Sequence, residues 1–215
     1  MTSQPPDQPR ERLLDAAGQV FAEKGYHAAT VREIVQRAEA NIAAVNYYFG
    51  DKEHLYIDAV RQAGLCCAER APMPQWAPGT PPAAKLRDFI RTFLSRTATG
   101  NDLDWRGVLI LRELVQPSAA CVAFVDQFVR PNCEILMGIL GELLPADVPQ
   151  TKRRLIAFSI IGQCLHYRVA RGVIRLLVGD EFDTYDVERL TGHITDFSLA
   201  GMGLRPDGQP KGDRS

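Results

Sequence analysis

The feature that most constrains the fold is a run of 26 residues, Thr30–Leu55, which contains three helix starts. Thr30 and Glu33 form a capping-box pattern, and Asn41 and Asp51 are suitable N-caps for the two helices that follow. The first of the three helices carries apolar residues at helical spacing: Val31, Ile34, Val35 and Ala38. The run therefore predicts a compact group of three helices.

The helix that starts at Asn41 has the composition of a surface helix. It is about two turns long, and its side chains are small, polar or aromatic: Ala43, Ala44, Asn46 and Tyr47. Lys52 lies in the first turn of the third helix, where unpaired backbone N–H groups favour an anion. This spacing predicts a helix-turn-helix followed by a phosphate contact. On spacing alone, three core helices of an unrelated bundle remain an alternative.

Charge argues against binding through a broad basic surface. The chain has a formal net charge of -1, and residues 1–64 hold seven Lys or Arg against nine Asp or Glu. If this region binds DNA, few cations face phosphate, and much of the contact comes from hydroxyls, backbone N–H groups and helix N-termini.

Length and composition predict a cytoplasmic, water-soluble protein. With 215 residues and 46% hydrophobic residues, the chain can bury a core in one or two domains. The first ten residues lack the apolar region of a signal peptide, and the longest uncharged apolar-rich run, Leu155–Tyr167, is too short to span a bilayer. The odd set of five cysteines predicts reduced thiols, with no metal site and no cofactor: Cys66, Cys67, Cys121, Cys133 and Cys164.

The remaining pattern is helical throughout, which predicts an all-α fold of about nine helices. Five prolines within Pro72–Pro82 mark a break, and Pro131 predicts a kink or a break inside the helix over 118–144. Two further helices are predicted over 151–177 and 185–199. The predicted organisation is a disordered lead (1–8), a helix-turn-helix domain (9–51), a helical effector-binding and dimerisation domain (52–201, with a connecting helix over 52–71) and a disordered tail (202–215).

Two long motifs resemble the TetR/AcrR family of transcriptional regulators: F-A-E-K-G-Y-H-A-A-T-V-R-E-I and Y-Y-F-G-D-K-E-H-L. Later stretches are similar to the CecR-like subgroup, among them L-R-E-L-V-Q-P-S, F-V-R-P, A-F-S-I-I-G-Q-C-L-H-Y-R and D-F-S-L-A-G-M. The resemblance implies an all-helical homodimer whose first three helices bind operator DNA. It also implies a C-terminal domain that senses a small molecule, and a repressor rather than an activator.

Carried onto this sequence, the resemblance places the DNA contacts at Thr30, Arg32, Ile42, Ala43, Ala44, Asn46, Tyr47, Tyr48 and Lys52. Arg32 suits guanine and Asn46 suits adenine, whereas the alanine methyls suit a thymine methyl. Thr30, Tyr47, Tyr48 and Lys52 suit phosphates. Two residues depart from the wider family: Asn46 stands where Tyr is usual, and Glu39 stands where the turn usually has Gly, which predicts a positive φ at a non-glycine residue.

Polar residues inside apolar helices are the candidates for the effector site: Trp105, Arg112, Gln163, His166 and Tyr167. Internal packing and hydrogen bonding explain them equally well. The expected effector is small and partly apolar, either aromatic or amphipathic. The candidates for a four-helix dimer interface are Phe158, Ile161, Leu165, Val169, Leu190, Ile194 and Phe197.

The sequence also bears on functions other than that of a DNA-binding regulator. The chain lacks the G-x-S-x-G, phosphate-loop, H-E-x-x-H and Rossmann motifs, so no enzyme is predicted. A helical protein-interaction module would account for the apolar helices over 151–199 but not for the short polar helix after Asn41. A redox-sensing regulator acting through Cys66 and Cys67 is a further alternative.

Overall fold

The computed structural model describes residues 8–97 and 104–210, which form an all-α protein. Its α-helices are α1 (Gln8–Ala28), α2 (Val31–Arg37), α3 (Ile42–Phe49), α4 (Lys52–Arg70), α5 (Pro82–Thr97), α6 (Trp105–Val115), α7 (Ala119–Phe124), α8 (Arg130–Leu143), α9 (Gln150–Val169), α10 (Arg171–Val178) and α11 (Val187–Gly201). A π-helical turn spans Val125–Val129, and a 3-10 helix spans Gly179–Thr184. Over the described ranges no β-strand occurs, and the one β-bridge joins Leu204 and Pro210. The prediction of an all-α fold is confirmed.

The helix count exceeds the predicted nine because two predicted helices are interrupted. The helix over 118–144 breaks at the π-helical turn that precedes Pro131, where a kink or a break was expected. The helix over 151–177 ends at Ala170 (φ -92°, ψ 11°), and α10 begins one residue later. The apolar spacing did not reveal this second break, since one non-helical residue leaves the hydrophobic pattern almost unchanged.

The described chain divides into two compact units. The first unit contains residues 8–67 and 104–128, and the second contains residues 68–97 and 129–210. The predicted domain bounds at 51 and 52 differ from this division, because α6 and α7 pack with the N-terminal helices. The assignment of DNA binding to residues 9–51, and of effector binding and dimerisation to residues 52–201, stays a prediction.

The first unit has a core built from α1, α2, α3, α4, α6 and α7. Its largest fully buried side chains are Leu13, Phe21, Ile34, Leu55 and Leu109. Two glycines allow aromatic rings to approach the helices closely. A Cβ on Gly18 would lie 2.2 Å from the Trp105 ring, and one on Gly64 would lie 2.7 Å from the Phe128 ring. Helix α6 can therefore lie directly on α1.

The second unit has a separate core built from α5, α8, α9 and α11. Its most deeply buried residues include Leu86, Phe89, Ile90, Leu136, Leu140, Ile160 and Ile194. Two ion pairs join its helices at the surface: Arg91 Nε lies 2.6 Å from Glu188 Oε1, and Lys85 Nζ lies 2.7 Å from Glu142 Oε2.

The chain after α11 folds back onto the second unit. Leu204 is buried in its core, and Gly208 lies against Ala83 and Leu143. The prediction of a disordered tail is thus wrong for residues 202–210, because the apolar Leu204 is buried although the surrounding sequence is polar. The rest of that tail, 211–215, and residues 1–7 of the predicted lead lie outside the described residues, and Gln8 is the first residue of α1.

No single helix in residues 8–97 and 104–210 has both the length and the apolar character needed to cross a membrane. One bent helix pair, Trp105–Val115 with Ala119–Leu143, meets those criteria only in combination.

Candidate DNA-binding site

The start of α2 is held by the predicted capping box. The backbone N–H of Glu33 donates to the Thr30 hydroxyl oxygen at 3.2 Å, and the Thr30 N–H donates to the Glu33 carboxylate at 3.1 Å. The Thr30 hydroxyl also donates to Glu33 at 2.9 Å. Ion pairing with Lys24 and these bonds from Thr30 lower the pKa of Glu33 to about 2. Thr30 is therefore the N-cap of α2, and its hydroxyl is bonded to Glu33.

Helix α3 presents one exposed face. Its N-cap, Asn41, accepts a 2.8 Å hydrogen bond from the Ala44 N–H, while Val45 and Phe49 are buried on the opposite side. The exposed side chains recur at positions i, i+1, i+4 and i+5: Ile42 (53% exposed), Ala43, Asn46 and Tyr47 (83% exposed). A two-turn helix with large exposed side chains on one face has the size and shape of a recognition helix. Ala44 and Tyr48, also predicted to contact DNA, are half-buried beside this face.

The turn between α2 and α3 contains the positive φ that the sequence predicts. Glu39 has φ 51°, the one positive φ of a non-glycine residue in the described ranges. Its N–H donates to Gln36 O at 3.3 Å, and the Ala40 N–H donates to Val35 O at 2.9 Å. These bonds close the end of α2 and direct the chain into α3 at a small conformational cost.

Helix α4 begins after Asp51, its predicted N-cap. Lys52, which is predicted to contact phosphate, is its first residue. Asp51 Oδ1 accepts a 2.9 Å hydrogen bond from the His54 N–H and contacts the His54 ring nitrogen Nδ1 at 2.9 Å. The bond from the His54 N–H lowers the pKa of Asp51, and the bond to Asp51 raises the pKa of His54. The Lys52 ammonium lies over the Tyr26 ring, 4.6 Å from its centroid. Tyr26 thus positions Lys52, a contact that the sequence did not indicate.

Several cations of this region are engaged in internal ion pairs. Arg37 donates to both oxygens of Glu23, at 2.7 and 2.9 Å, and Lys24 pairs with Glu33. Arg10 Nη2 lies 2.7 Å from Asp58 Oδ2. Arg32, by contrast, is an exposed side chain on α2. The surface around α3 therefore combines a small number of cations with hydroxyl and amide groups.

The predicted effector residues lie in two different units. In the first unit, Trp105 Nε1 donates to Asp15 Oδ1 at 3.1 Å, and Arg112 donates to the carbonyl oxygens of Ala22 and Glu23 at 3.0 and 3.2 Å. Both side chains thus serve internal packing at α1. In the second unit, Gln163 Nε2 donates to Ser159 O at 3.3 Å, His166 is exposed, and Tyr167 packs at the edge of the core.

Most of the predicted interface residues lie at or near the surface of the second unit. Phe158 and Phe197 are each 62% exposed, Val169 is exposed, and Ile161, Leu165 and Leu190 are half-buried. Ile194 has 0% exposure, so its assignment to the interface is wrong: the α11 face that carries it packs into the core with α5. Four further apolar side chains of this unit, which were not predicted for the interface, are exposed: Leu155, Val173, Leu176 and Leu177.

A buried carboxylate, Glu113, lies in the first unit and takes part in internal hydrogen bonds. Glu113 accepts hydrogen bonds from the Tyr56 hydroxyl, the Ser118 N–H (3.2 Å) and the Ser118 hydroxyl (2.9 and 3.0 Å). Burial is the main cause of the raised pKa of Tyr56, and the Glu113 carboxylate adds to it. The only sequence signal was the motif L-R-E-L-V-Q-P-S, in which Glu113 and Ser118 lie five residues apart.

None of the five cysteines is in a disulfide, and Cys66 and Cys67 are half-buried.

Comparisons with known proteins cover nearly the whole chain. Residues 13–59 match the family model described as bacterial regulatory proteins, tetR family. Residues 82–202 match the model described as HTH-type transcriptional dual regulator CecR, C-terminal domain. The chain is 30% identical to the HTH-type transcriptional dual regulator CecR of Shigella flexneri, over 93% of this chain and 95% of that protein. A shorter match, 36% identical over 30% of this chain and 34% of that protein, is to the HTH-type transcriptional repressor AcnR of Corynebacterium glutamicum.

Solved structures share the fold. A TetR-like transcriptional regulator from Rhodococcus sp. RHA1 superposes with a TM-score of 0.62 at 22% identity, covering 94% of this chain and 99% of that chain. The transcriptional regulator FadR from Bacillus subtilis, in complex with stearoyl-CoA, superposes with a TM-score of 0.61 at 21% identity, covering 89% and 98%. At these identities the similarity bears on the fold alone.

Proposed function

This chain belongs to the TetR family of transcriptional regulators and has a CecR-type C-terminal domain, and on that basis we propose that it is a ligand-responsive repressor. It is a regulator and not an enzyme. In this proposal a homodimer binds a palindromic operator through α2, α3 and the start of α4. A small-molecule effector bound in the C-terminal domain releases the DNA.

The observation that supports DNA recognition most directly is the exposed face of α3. Asn46 is exposed and can present its amide to an adenine N6 and N7 edge. Ala43, on the same face, offers a methyl group to a thymine methyl, and Arg32 of α2 can fork onto guanine O6 and N7. Because Val45 and Phe49 fix the opposite face in the core, α3 is held rigidly, as base readout requires.

Phosphate contacts complete the proposed DNA interface. Lys52, Tyr47 and Tyr48 are the donors around α3, and Lys52 lies in the first turn of α4, where backbone N–H groups add to the attraction for an anion. Thr30 also contacts phosphate when its hydroxyl donates to a phosphate oxygen in place of the Glu33 carboxylate. With a net charge of -1, the chain depends on these local contacts for its affinity.

Dimerisation is proposed through the exposed apolar surface of the second unit. Its members are Leu155, Phe158, Val169, Val173, Leu176, Leu177 and Phe197. Apolar side chains of this size are stabilised when a second copy removes them from water. A two-fold dimer would present two α3 helices to the two halves of a palindromic operator.

The proposed effector is a small, partly apolar compound. Gln163, His166 and Tyr167 of α9 are its candidate polar contacts, since they carry hydrogen-bonding groups on an otherwise apolar helix. The effector releases the DNA if it binds more tightly to a conformation in which the distance between the two α3 helices of the dimer does not match the operator.

A gel-shift experiment with the DNA upstream of the protein's own gene tests this function. We expect a discrete shifted complex that survives excess non-specific competitor DNA. A helical protein-interaction module would give no complex under the same conditions, and that result would reject the proposal.

A further inference from the structure

A cavity of about 410 Å³ lies inside the first unit, between the end of α1, the start of α4 and the turn from α6 to α7. We refer to it as the α1/α6 cavity; Tyr26, Glu53, Tyr56, Arg112, Glu113 and Pro117 are among its lining residues. Its volume falls within the range of small-molecule sites, about 300–1,000 Å³. We propose that this cavity is a regulatory binding site for a small organic cation.

The hydrogen-bonding groups of the lining favour a cation over an anion. Glu113 (1% exposed) and Glu53 contribute two carboxylates to it. The bonds from Tyr56 and Ser118 occupy about three of the roughly four acceptor sites of Glu113, which leaves one for a ligand ammonium. Arg112, which would be the natural anion ligand, directs Nε and Nη2 at the carbonyl oxygens of Ala22 and Glu23. These two bonds hold one edge of the guanidinium against α1. With His27 counted as neutral, the formally charged groups of the lining are two carboxylates and this one guanidinium.

Two aromatic rings line the cavity, and one of them, Tyr26, also contacts the ammonium of Lys52, a residue outside the lining. The rings of Tyr26 and Tyr56 lie 5.1 Å apart, and the Lys52 ammonium lies 4.6 Å from the Tyr26 centroid. Aromatic faces recognise organic ammonium groups, and a carboxylate can add a charge-assisted hydrogen bond to the same group. Apolar surface from Ile57 and Pro117 suits the carbon skeleton of such a ligand.

Binding in the cavity would act on the DNA contact through Tyr26. A ligand cation that contacts the Tyr26 ring competes with Lys52 for the same aromatic group and repels its ammonium. Lys52 is the proposed phosphate contact, so this step rests on the proposed function. Because coupling between two sites is reciprocal, operator DNA should weaken cation binding by the same factor.

The site itself is tested without DNA. The full chain is titrated with benzylamine, an ammonium at neutral pH, and with benzyl alcohol, its neutral counterpart, while the tyrosine ring signals are followed by NMR. We expect saturable binding of benzylamine at concentrations up to roughly 10 mM and at least about tenfold weaker binding of benzyl alcohol. Equal binding of the two probes, or no binding of benzylamine, would overturn the proposal.

Two carboxylate variants locate the binding. Glu53→Gln, at an exposed position where folding is unaffected, and Glu113→Gln, nearly isosteric in the core, should each weaken benzylamine binding by about fivefold or more. Glu11→Gln, an exposed carboxylate of the same unit outside the cavity, should leave the affinity at the wild-type value. Wild-type affinity in both cavity variants contradicts the site, and Glu53→Gln remains informative if Glu113→Gln unfolds.

A gel shift in the presence of benzylamine tests the regulatory step. We expect the probe to lower operator affinity in the wild-type protein and not in Glu53→Gln. If benzylamine binds but operator affinity stays constant, the regulatory role is rejected. If the protein binds benzylamine but no DNA, the proposed function fails while the cavity site stands.

Discussion

At the residue scale, the proposed DNA interface depends on individual side chains, because ion pairs engage several neighbouring cations. Arg37 is held by Glu23 and Lys24 by Glu33, so each would have to exchange a carboxylate for a phosphate oxygen in order to contact DNA. Lys52 is instead held by an aromatic ring, which leaves its three N–H donors able to reach a phosphate.

Replacing Lys52 with Ala should weaken binding to every DNA sequence by a similar factor. The slope of log K against log salt should fall by about 1, because one phosphate contact is lost. Titrations at several salt concentrations, with specific and random DNA, measure both quantities. Arg61→Ala, an exposed cation further along α4, is the matched control and should keep the wild-type slope.

Replacing Asn46 with Ala should relax the preference at one base pair of the operator. A bidentate amide contact is worth about 1–3 kcal/mol of discrimination, and its loss should leave the other positions unchanged. Binding to a panel of single-base-pair operator variants reports the change. An unaltered sequence profile in this variant would show that Asn46 does not read a base.

Acid should remove the contribution of Glu33 to the stability of α2. Its pKa is about 2 in the folded protein and 4.5 unperturbed, so the contribution is fully present above about pH 4.5 and is lost as the pH falls toward 2. Thermal unfolding of wild type and Glu33→Gln should therefore differ at pH 7 and converge in strong acid. A gap in Tm that stays constant over this pH range would contradict the assignment.

At the element scale, the arrangement of α1, α6 and α7 decides how the DNA-binding helices are supported. Trp105 lies in the space left by Gly18, and Arg112 binds the carbonyls that precede the non-helical Gly25 (φ 77°). Helix α6 thereby fixes the end of α1 from outside the predicted 9–51 domain.

Gly18→Ala should destabilise the protein, since the new Cβ would lie 2.2 Å from the Trp105 ring. Overpacking of this kind costs about 1–3 kcal/mol, which denaturant unfolding can measure. Gly138→Ala is the control, because no atom lies within 4 Å of the added Cβ. That substitution should be neutral or stabilising by about 0.5–1 kcal/mol, as expected for Ala in place of Gly in a helix.

The elements of the proposed DNA interface were predictable from sequence because their determinants are local. Thr30 with Glu33, Asn41, and Glu39 in the turn act over at most a few residues. The contacts that support these elements were not predictable, because they join residues that are far apart in sequence. Tyr56 and Glu113 lie 57 residues apart, and Arg112 and Ala22 lie 90 residues apart. Periodicity alone also could not tell that Ile194 faces the core while Phe197, on the same helix, is exposed.

At the scale of the whole molecule, the exposed apolar residues of the second unit require an explanation. Leu176 is 88% exposed and Leu177 is 77% exposed, beside the half-buried Val178. Truncation after Leu177 is not a clean test of dimerisation, because it would also remove Ile194 and Leu199 from the core. Point substitutions on the exposed face avoid this difficulty.

Phe158→Asp and Phe197→Asp should each shift the protein toward monomers. Both side chains are 62% exposed in the single chain, so the substitutions cost its folding little, whereas a charge buried in a dimer interface should cost about 2 kcal/mol or more. Sedimentation velocity measures the dissociation constant. Val122→Asp, at an exposed position of the first unit, should dimerise like the wild type, and equal dimerisation of all three variants would contradict the proposed interface.

The first unit is discontinuous in the chain, and this has a consequence for its synthesis. Leu109, Ala120 and Phe124 complete the core that holds α1, α2 and α3, although α5 is made before them. A nascent chain that has emerged only as far as α4 still lacks these apolar partners, so the DNA-binding helices leave the ribosome well before their support does. The ribosome must therefore synthesise α7 before the exposed face of α3, the proposed DNA contact, acquires its final rigidity.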